Sequence, residues 1–238
     1  MKSVKYVVTV YCAIIGLSSL LYAGNGTIIG VAKFVGENPG YPEAVIDKDP
    51  EICGSGSRPS TKLILSADNG IKDVFVSVEG VQGETSALPA ANPVYEQSKC
   101  DFTQHVMVVP TGSTVDFPNK NDKVMHNLHS YSMKNRPFNK GVPFGGVISN
   151  QFTKPEIVKI TCDVHKWMTG YVIVHDNPYY CVTDGNGNFK IENVPAGTYK
   201  IEAWQESLGK QKADVIVPAD GEVTVNFEFT PKKERKSS

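Results

Sequence analysis

Residues 162–168 read Cys162-Asp163-Val164-His165-Lys166-Trp167-Met168, a Cys-x2-His-x2-Met run. A thiolate, an imidazole and a thioether are soft or intermediate ligands, a set that suits copper in both of its oxidation states. Zinc would accept the cysteine and the histidine but gains little from a thioether. The run follows Phe152-Thr153-Lys154-Pro155 and a predicted strand at 157–161, and it precedes Gly170 and a predicted strand at 171–174. Three donors at the end of one strand and in the short loop after it can converge on one point. A further donor must come from elsewhere, and four of the five histidines fall between positions 105 and 165. His126, at a strand end beyond the predicted strand 115–117, is placed for that role. A trigonal His2Cys site with a long axial methionine is an electron-transfer site, because nearly the same ligands serve both copper states.

Residues 115–174 resemble the ligand-bearing half of the cupredoxins, with a Cys-to-Met spacing similar to the amicyanin type. The resemblance rests on Val115, Phe117 and Asn119, then His126-Asn127, then Phe152, Lys154 and Pro155, then Cys162, His165 and Met168. It implies one copper ion, cycling between Cu(I) and Cu(II), held by His126, Cys162 and His165 with Met168 as the axial ligand. With Cys162 given to copper, Cys53, Cys100 and Cys181 remain beyond the leader. A Cys53–Cys100 bridge is then expected to tie the N-terminal extension to the copper sandwich, leaving Cys181 free. The chain departs from a simple cupredoxin in its long extension from Gly24 to about Gln97, whose strands are expected to complete or enlarge the same sandwich. The connection between His126 and Cys162 includes 134–139, expected as a loop over the site.

Other donors read differently. His129 follows His126 by three, so on an extended strand it faces the opposite side; it is expected to be a hydrogen-bonded or surface residue. His105 is expected in packing or hydrogen bonding, and a second metal site using His105, His129 or His175 is disfavoured. Met107, Met125 and Met133 form no Met-x-Met cluster and read as filler. Trp167 lies between two candidate ligands, either packed against the site to exclude water or exposed as a docking aromatic.

Many short elements must position these groups. Runs of strand length, rich in Val, Ile or Phe and bounded by turn residues, occur at 27–34, 62–65, 74–81, 105–109, 114–117, 157–161 and 171–174. Helical periodicity is scarce, with a turn or two expected at 43–52 and 89–99. A second pattern begins near Asn177, where Asp184-Gly185-Asn186-Gly187 marks a tight hairpin turn. Strands around 182–203, 213–217 and 222–229 follow, and this stretch resembles the carboxypeptidase regulatory-like (transthyretin-like) domains through its Thr-Asp…Gly-Asn-Phe and Pro-x-Gly-x-Tyr patterns. The fold class expected is all-β, two Greek-key sandwiches, with a cupredoxin-like domain over 24–176 and a small prealbumin-like sandwich over 177–230. Residues 231–238 read as a disordered charged tail.

The N-terminus is an address. Lys2 and Lys5 precede an apolar stretch ending at Leu21-Tyr22-Ala23, the form of a secretory signal over 1–23. Tyr11 before Cys12 argues against a lipid-modified cysteine, and an uncleaved anchor is the alternative. The protein is therefore expected to work outside the cytoplasm, periplasmic or otherwise exported, with no membrane span after signal cleavage.

Composition narrows the functions. The chain has 238 residues, with 24 Lys+Arg against 25 Asp+Glu, and gives no electrostatic footprint for nucleic acid. There is no Ser-His-Asp arrangement, paired-carboxylate context or phosphate loop, so the protein is not expected to be an enzyme. The leading expectation is an exported mononuclear blue-copper electron carrier with a redox partner protein. Two other readings stay open, a copper-binding or delivery protein without a redox role and a structural β-sandwich interaction protein.

Overall fold

The computed structural model describes residues 24–81 and 85–232. The expected signal lies outside the described residues, as do 233–238 of the expected tail. The chain begins with β1 (Asn25–Phe34), β2 (Ala44–Ile46), the single-turn helix α1 (Pro50–Cys53), β3 (Gly56–Arg58) and β4 (Phe75–Glu79). Next come β5 (Gln97–Ser98), β6 (Asp101–Phe102), β7 (Val106–Pro110), β8 (Thr114–Pro118), β9 (His126–Tyr131) and β10 (Asn139–Val142). β11 (Val147–Gln151), β12 (Glu156–Thr161), β13 (Thr169–His175), β14 (Tyr180–Val182) and β15 (Asn188–Pro195) follow. The series closes with β16 (Gly197–Gln205), β17 (Gly209–Val217), β18 (Glu222–Thr224) and β19 (Phe227–Phe229). The fold is all-β.

One sandwich carries the candidate ligands. Its larger sheet has the order β10-β9-β12-β13-β7, and β8 pairs with β11 in the smaller one. Val109, Val115, Phe117, Leu128, Val142, Val158, Ile160, Val172 and Val174 fill the space between. Alternation along β12 explains the arrangement, since Val158 and Ile160 are buried while Lys159 between them is exposed.

The other sandwich corrects two expectations. β1 pairs antiparallel with β15 and parallel with β18 and β19, and β4 lies between β14 and β16 in the sheet β14-β4-β16-β17. β1 and β4 therefore join the second sandwich and do not enlarge the first, β2 and β3 pair with each other, and the sheets do not divide at 176/177. β1 buries Ile28, Ala32 and Phe34 against Val76, Val78, Ile201, Ala203, Val215, Val217, Phe227 and Phe229. The reason is an open edge: β15 offers β1 a ladder and an apolar face that its own period-2 pattern can cover. In chain order the strands β7–β13 of the ligand-bearing sandwich thus fall between β1 and β4 and the later strands of the other. Phe75, Val106, Tyr171 and Ile173 pack at the junction, with Trp204 against Tyr171 at 5.1 Å between ring centroids.

Among the described residues the helix expected at 43–52 is reduced to α1, and no helix forms at 89–99. Residues 62–65 form no strand and contribute only an isolated bridge from Leu65 to Ile71. No helix among the described residues is long and apolar enough to cross a membrane.

Candidate metal centre

The hairpin β12–β13 brings Cys162 and Met168 together. Cys162 N–H donates to Met168 O at 3.2 Å and Met168 N–H to His165 O at 2.9 Å, which closes the 162–168 loop on itself. β9 lies beside β12, with His129 opposite Thr161, so His126 reaches the same end of the sheet. Asn127 fixes that approach, because its Oδ1 accepts from Asp163 N–H at 2.5 Å and its Nδ2 donates to Asp163 Oδ2 at 3.0 Å.

The donors converge. Nδ1 of His126 and Nδ1 of His165 are 2.9 Å apart, and Cys162 Sγ lies 4.0 Å from the first and 3.7 Å from the second. His126 and His165 are 0% exposed and Cys162 is 2% exposed, so no part of this set is solvated. Met168 is fully buried in the same core cluster as Cys162.

A second layer sets the tautomers. His126 Nε2 meets Asp122 Oδ2 at 2.9 Å, and His165 Nε2 meets Asp49 Oδ2 at 2.9 Å. Asp122 is itself anchored by Lys99 N–H at 2.7 Å and Cys100 N–H at 2.8 Å. Asn119 shapes the turn that aims it, donating from Nδ2 to Val124 O at 2.8 Å and accepting from Asp122 N–H at 3.3 Å. A carboxylate at Nε2 holds the ring proton there and leaves the Nδ1 lone pair free for a cation. Burial pushes His126 below the ordinary imidazole range against the opposing Asp122 bond, favouring the neutral, ligating form. Cys162 Sγ accepts N–H groups from Asn127 at 3.5 Å and His165 at 3.4 Å, contacts that fix the position of the sulfur.

The donor set fits a soft cation. Two Nδ1 lone pairs and a sulfur facing one another across a buried space are mutually repulsive, and a cation among them removes that conflict. His126, Cys162 and His165 each offer one ligand atom, all within 4.8 Å of one another. Cys53 and Cys100 form a disulfide and Cys181 is a free thiol.

The remaining histidines pair elsewhere. His105 Nε2 meets Glu206 Oε1 at 2.5 Å, His129 Nδ1 meets Asp163 Oδ1 at 3.1 Å, and His175 packs edge-on against Phe75 at 5.2 Å between centroids. Trp167 is half-buried, donates to Cys100 O at 2.8 Å and packs against His165 with 5.2 Å between ring centroids. The connection after β9 does not cover the site. Glu156 accepts from Ser132 Oγ at 2.5 Å and from the Met133 and Asn135 amides at 2.5 and 3.0 Å, which ties the loop to the start of β12, the end away from Cys162. Asn139, at the start of β10, does reach back, donating to Asp163 Oδ2 at 2.8 Å.

Sequence reasoning gave Asp122 no role and did not find Asp49. Asp122 had a local signal, four residues before His126 in a polar turn. Asp49 had none, because it meets His165 only through the tertiary fold.

Comparison with known proteins gives partial likenesses. A family model described as polysaccharide lyase family 4, domain II, matches residues 153–225, a stretch that runs from the approach to β12 through the 162–168 loop and past β18. No curated protein matches the chain. The copper-containing nitrite reductase from Thermus scotoductus SA-01 aligns at 22% identity and TM-score 0.34, over 41% of this chain and 25% of its own. A purple cupredoxin from Nitrosopumilus maritimus aligns at 22% identity and TM-score 0.30, over 34% of this chain and 96% of its own. Amicyanin from Paracoccus versutus aligns at 20% identity and TM-score 0.33, over 42% of this chain and 97% of its own. The chemistry of the site stands on its own side chains.

Proposed function

We propose that this chain is an exported mononuclear copper protein that carries electrons. The observation that supports it most is the convergence of His126 Nδ1, His165 Nδ1 and Cys162 Sγ in a buried space, with both Nε2 atoms on carboxylates. In this reading His126, Cys162 and His165 would hold one copper ion, with Met168 as the further donor. Copper bound there would supply one-electron transfer between Cu(I) and Cu(II).

The residues of the chain do the rest. Asp122 and Asp49 orient the two imidazoles, and the Asn127 and His165 amides hold the sulfur. Trp167 and the surrounding core exclude water, so the donors keep one arrangement whichever charge they meet. No nucleophile, acid–base pair or substrate cleft enters this reading, in which the chain is not an enzyme and serves a redox partner protein. The second sandwich, transthyretin-like in its sequence patterns, would position the copper sandwich or bind that partner. Export follows from the leader 1–23 and suits a compartment where disulfides persist.

The test is optical. Apoprotein titrated with Cu(II) should develop a strong thiolate-to-copper absorption band at one equivalent, and the band should bleach and recover through cycles of reduction and oxidation. A colourless tight complex would favour delivery over electron transfer, and absence of binding would leave only a structural role.

A further inference from the structure

We infer that Asp49 is the positioning residue for His165, and that the disulfide-tethered turn bearing it is a cover fastened over the metal donors. The inference rests on the copper reading above and extends it to a segment far from the ligands in sequence.

Asp49 precedes α1 at the position where an aspartate ordinarily caps the helix, yet its side chain makes no cap hydrogen bond. The carboxylate turns instead to His165 Nε2 at 2.9 Å. The backbone is built for this: Asp49 lies in the left-handed region at φ 48° and ψ 49°, and its carbonyl accepts from Ile52 N–H at 3.0 Å and Cys53 N–H at 2.8 Å. A non-glycine residue held in that region is uncommon and marks a position fixed by its surroundings.

Covalent and polar bonds press the turn onto the site. Cys53 is joined to Cys100, 47 residues away, and the Cys100 amide binds Asp122, the carboxylate that serves His126. One staple therefore links the outer partners of both imidazoles. The two disulfide sulfurs and a His165 nitrogen lie within 4.8 Å of one another. Arg58, just beyond α1, donates to the Cys53, Lys99 and Cys100 carbonyls at 3.4, 3.2 and 3.1 Å, and its guanidinium lies 5.8 Å from the Trp167 ring centre. The cover thus grips the 162–168 loop at His165 through Asp49 and at Trp167 through Arg58 and the Cys100 carbonyl. His165, on a loop at the end of a sandwich, is 0% exposed beneath it.

Asp49→Ala and Asp49→Asn test this, since neither touches the disulfide or the apolar core. In 15N spectra of the wild-type apoprotein His165 should be the Nε2–H tautomer; Asp49→Ala should mix the two tautomers, and Asp49→Asn, whose amide oxygen still accepts, should largely restore the first. Copper affinity, measured by competition with a chelator, should fall about 10–100-fold in Asp49→Ala, the usual effect of losing an outer partner of a metal-bound histidine. A wild-type copper band together with unchanged affinity and tautomer in Asp49→Ala would overturn the cover while leaving the copper site standing. A wild type that binds no copper would overturn both.

Discussion

The two sandwiches are built on the same rule and spend their polar residues differently. Around Ile28, Phe34, Val76, Ile201 and Phe229 the core is apolar, and buried polar groups such as Thr183 and Gln205 bind nearby backbone. Around His126, Cys162 and His165 the buried polar groups bind side chains as well as backbone: Asp122 holds His126, Asp49 holds His165, and Asn127 joins the two ligand-bearing segments through Asp163. Burying such groups is costly unless each is satisfied, so a network of them that leaves two Nδ1 atoms and a sulfur facing one another marks a place where orientation matters more than stability. One sandwich is a frame, the other an instrument, and the chain builds the frame from both sides of the instrument.

The sharpest division comes from Cys162→Ser, which should abolish the thiolate-to-copper band while apoprotein unfolding changes little. A band that survives would place the sulfur ligand elsewhere and erase the contrast. On the frame side, Phe229→Ala should destabilise the protein by about 3–5 kcal/mol, because the ring is fully buried and its strand is a partner of β1. The folded fraction, followed in denaturant by absorbance and circular dichroism together, should keep an unaltered copper band. A changed band would show that the two cores are not separable.

What the sequence carried follows the same division. Cys162, His165 and Met168 were legible because they share one hairpin loop, where spacing alone constrains geometry. His126 was legible from the strand that delivers it. The placement of β1 was not, because a strand pairs with whichever open edges can accept its apolar face, and those edges lie more than 150 residues downstream at β15, β18 and β19. Asp49 was hidden for a related reason: its meeting with His165 depends on a turn held by Cys53–Cys100, which local pattern cannot express.

Removing that bridge by Cys53→Ser with Cys100→Ser should cost about 2–4 kcal/mol in denaturant unfolding, as expected for a crosslink closing a long loop. A negligible loss would show that the cover is held by Arg58 and the core alone.

The smallest effect is expected at Glu156, at the end of the ligand-bearing sandwich opposite the donors. Burial would raise its pKa, but hydrogen bonds from Ser132, Met133 and Asn135 outweigh burial and bring it from 4.5 down to about 2. The unfolded chain takes up this proton first as pH falls. The contribution is therefore full above about pH 4.5, declines below it and is gone once pH passes below about 2. Glu156→Gln should flatten the acid limb of the stability profile over that window without altering the copper band. An unchanged limb would mean that the loop is anchored otherwise.

The central claim is most directly tested by X-ray absorption at the copper edge of the loaded protein, in both oxidation states. The account predicts one short copper–sulfur contact and two imidazole nitrogens, retained on reduction. A shell of oxygen and nitrogen alone, with no short sulfur contact, would contradict it.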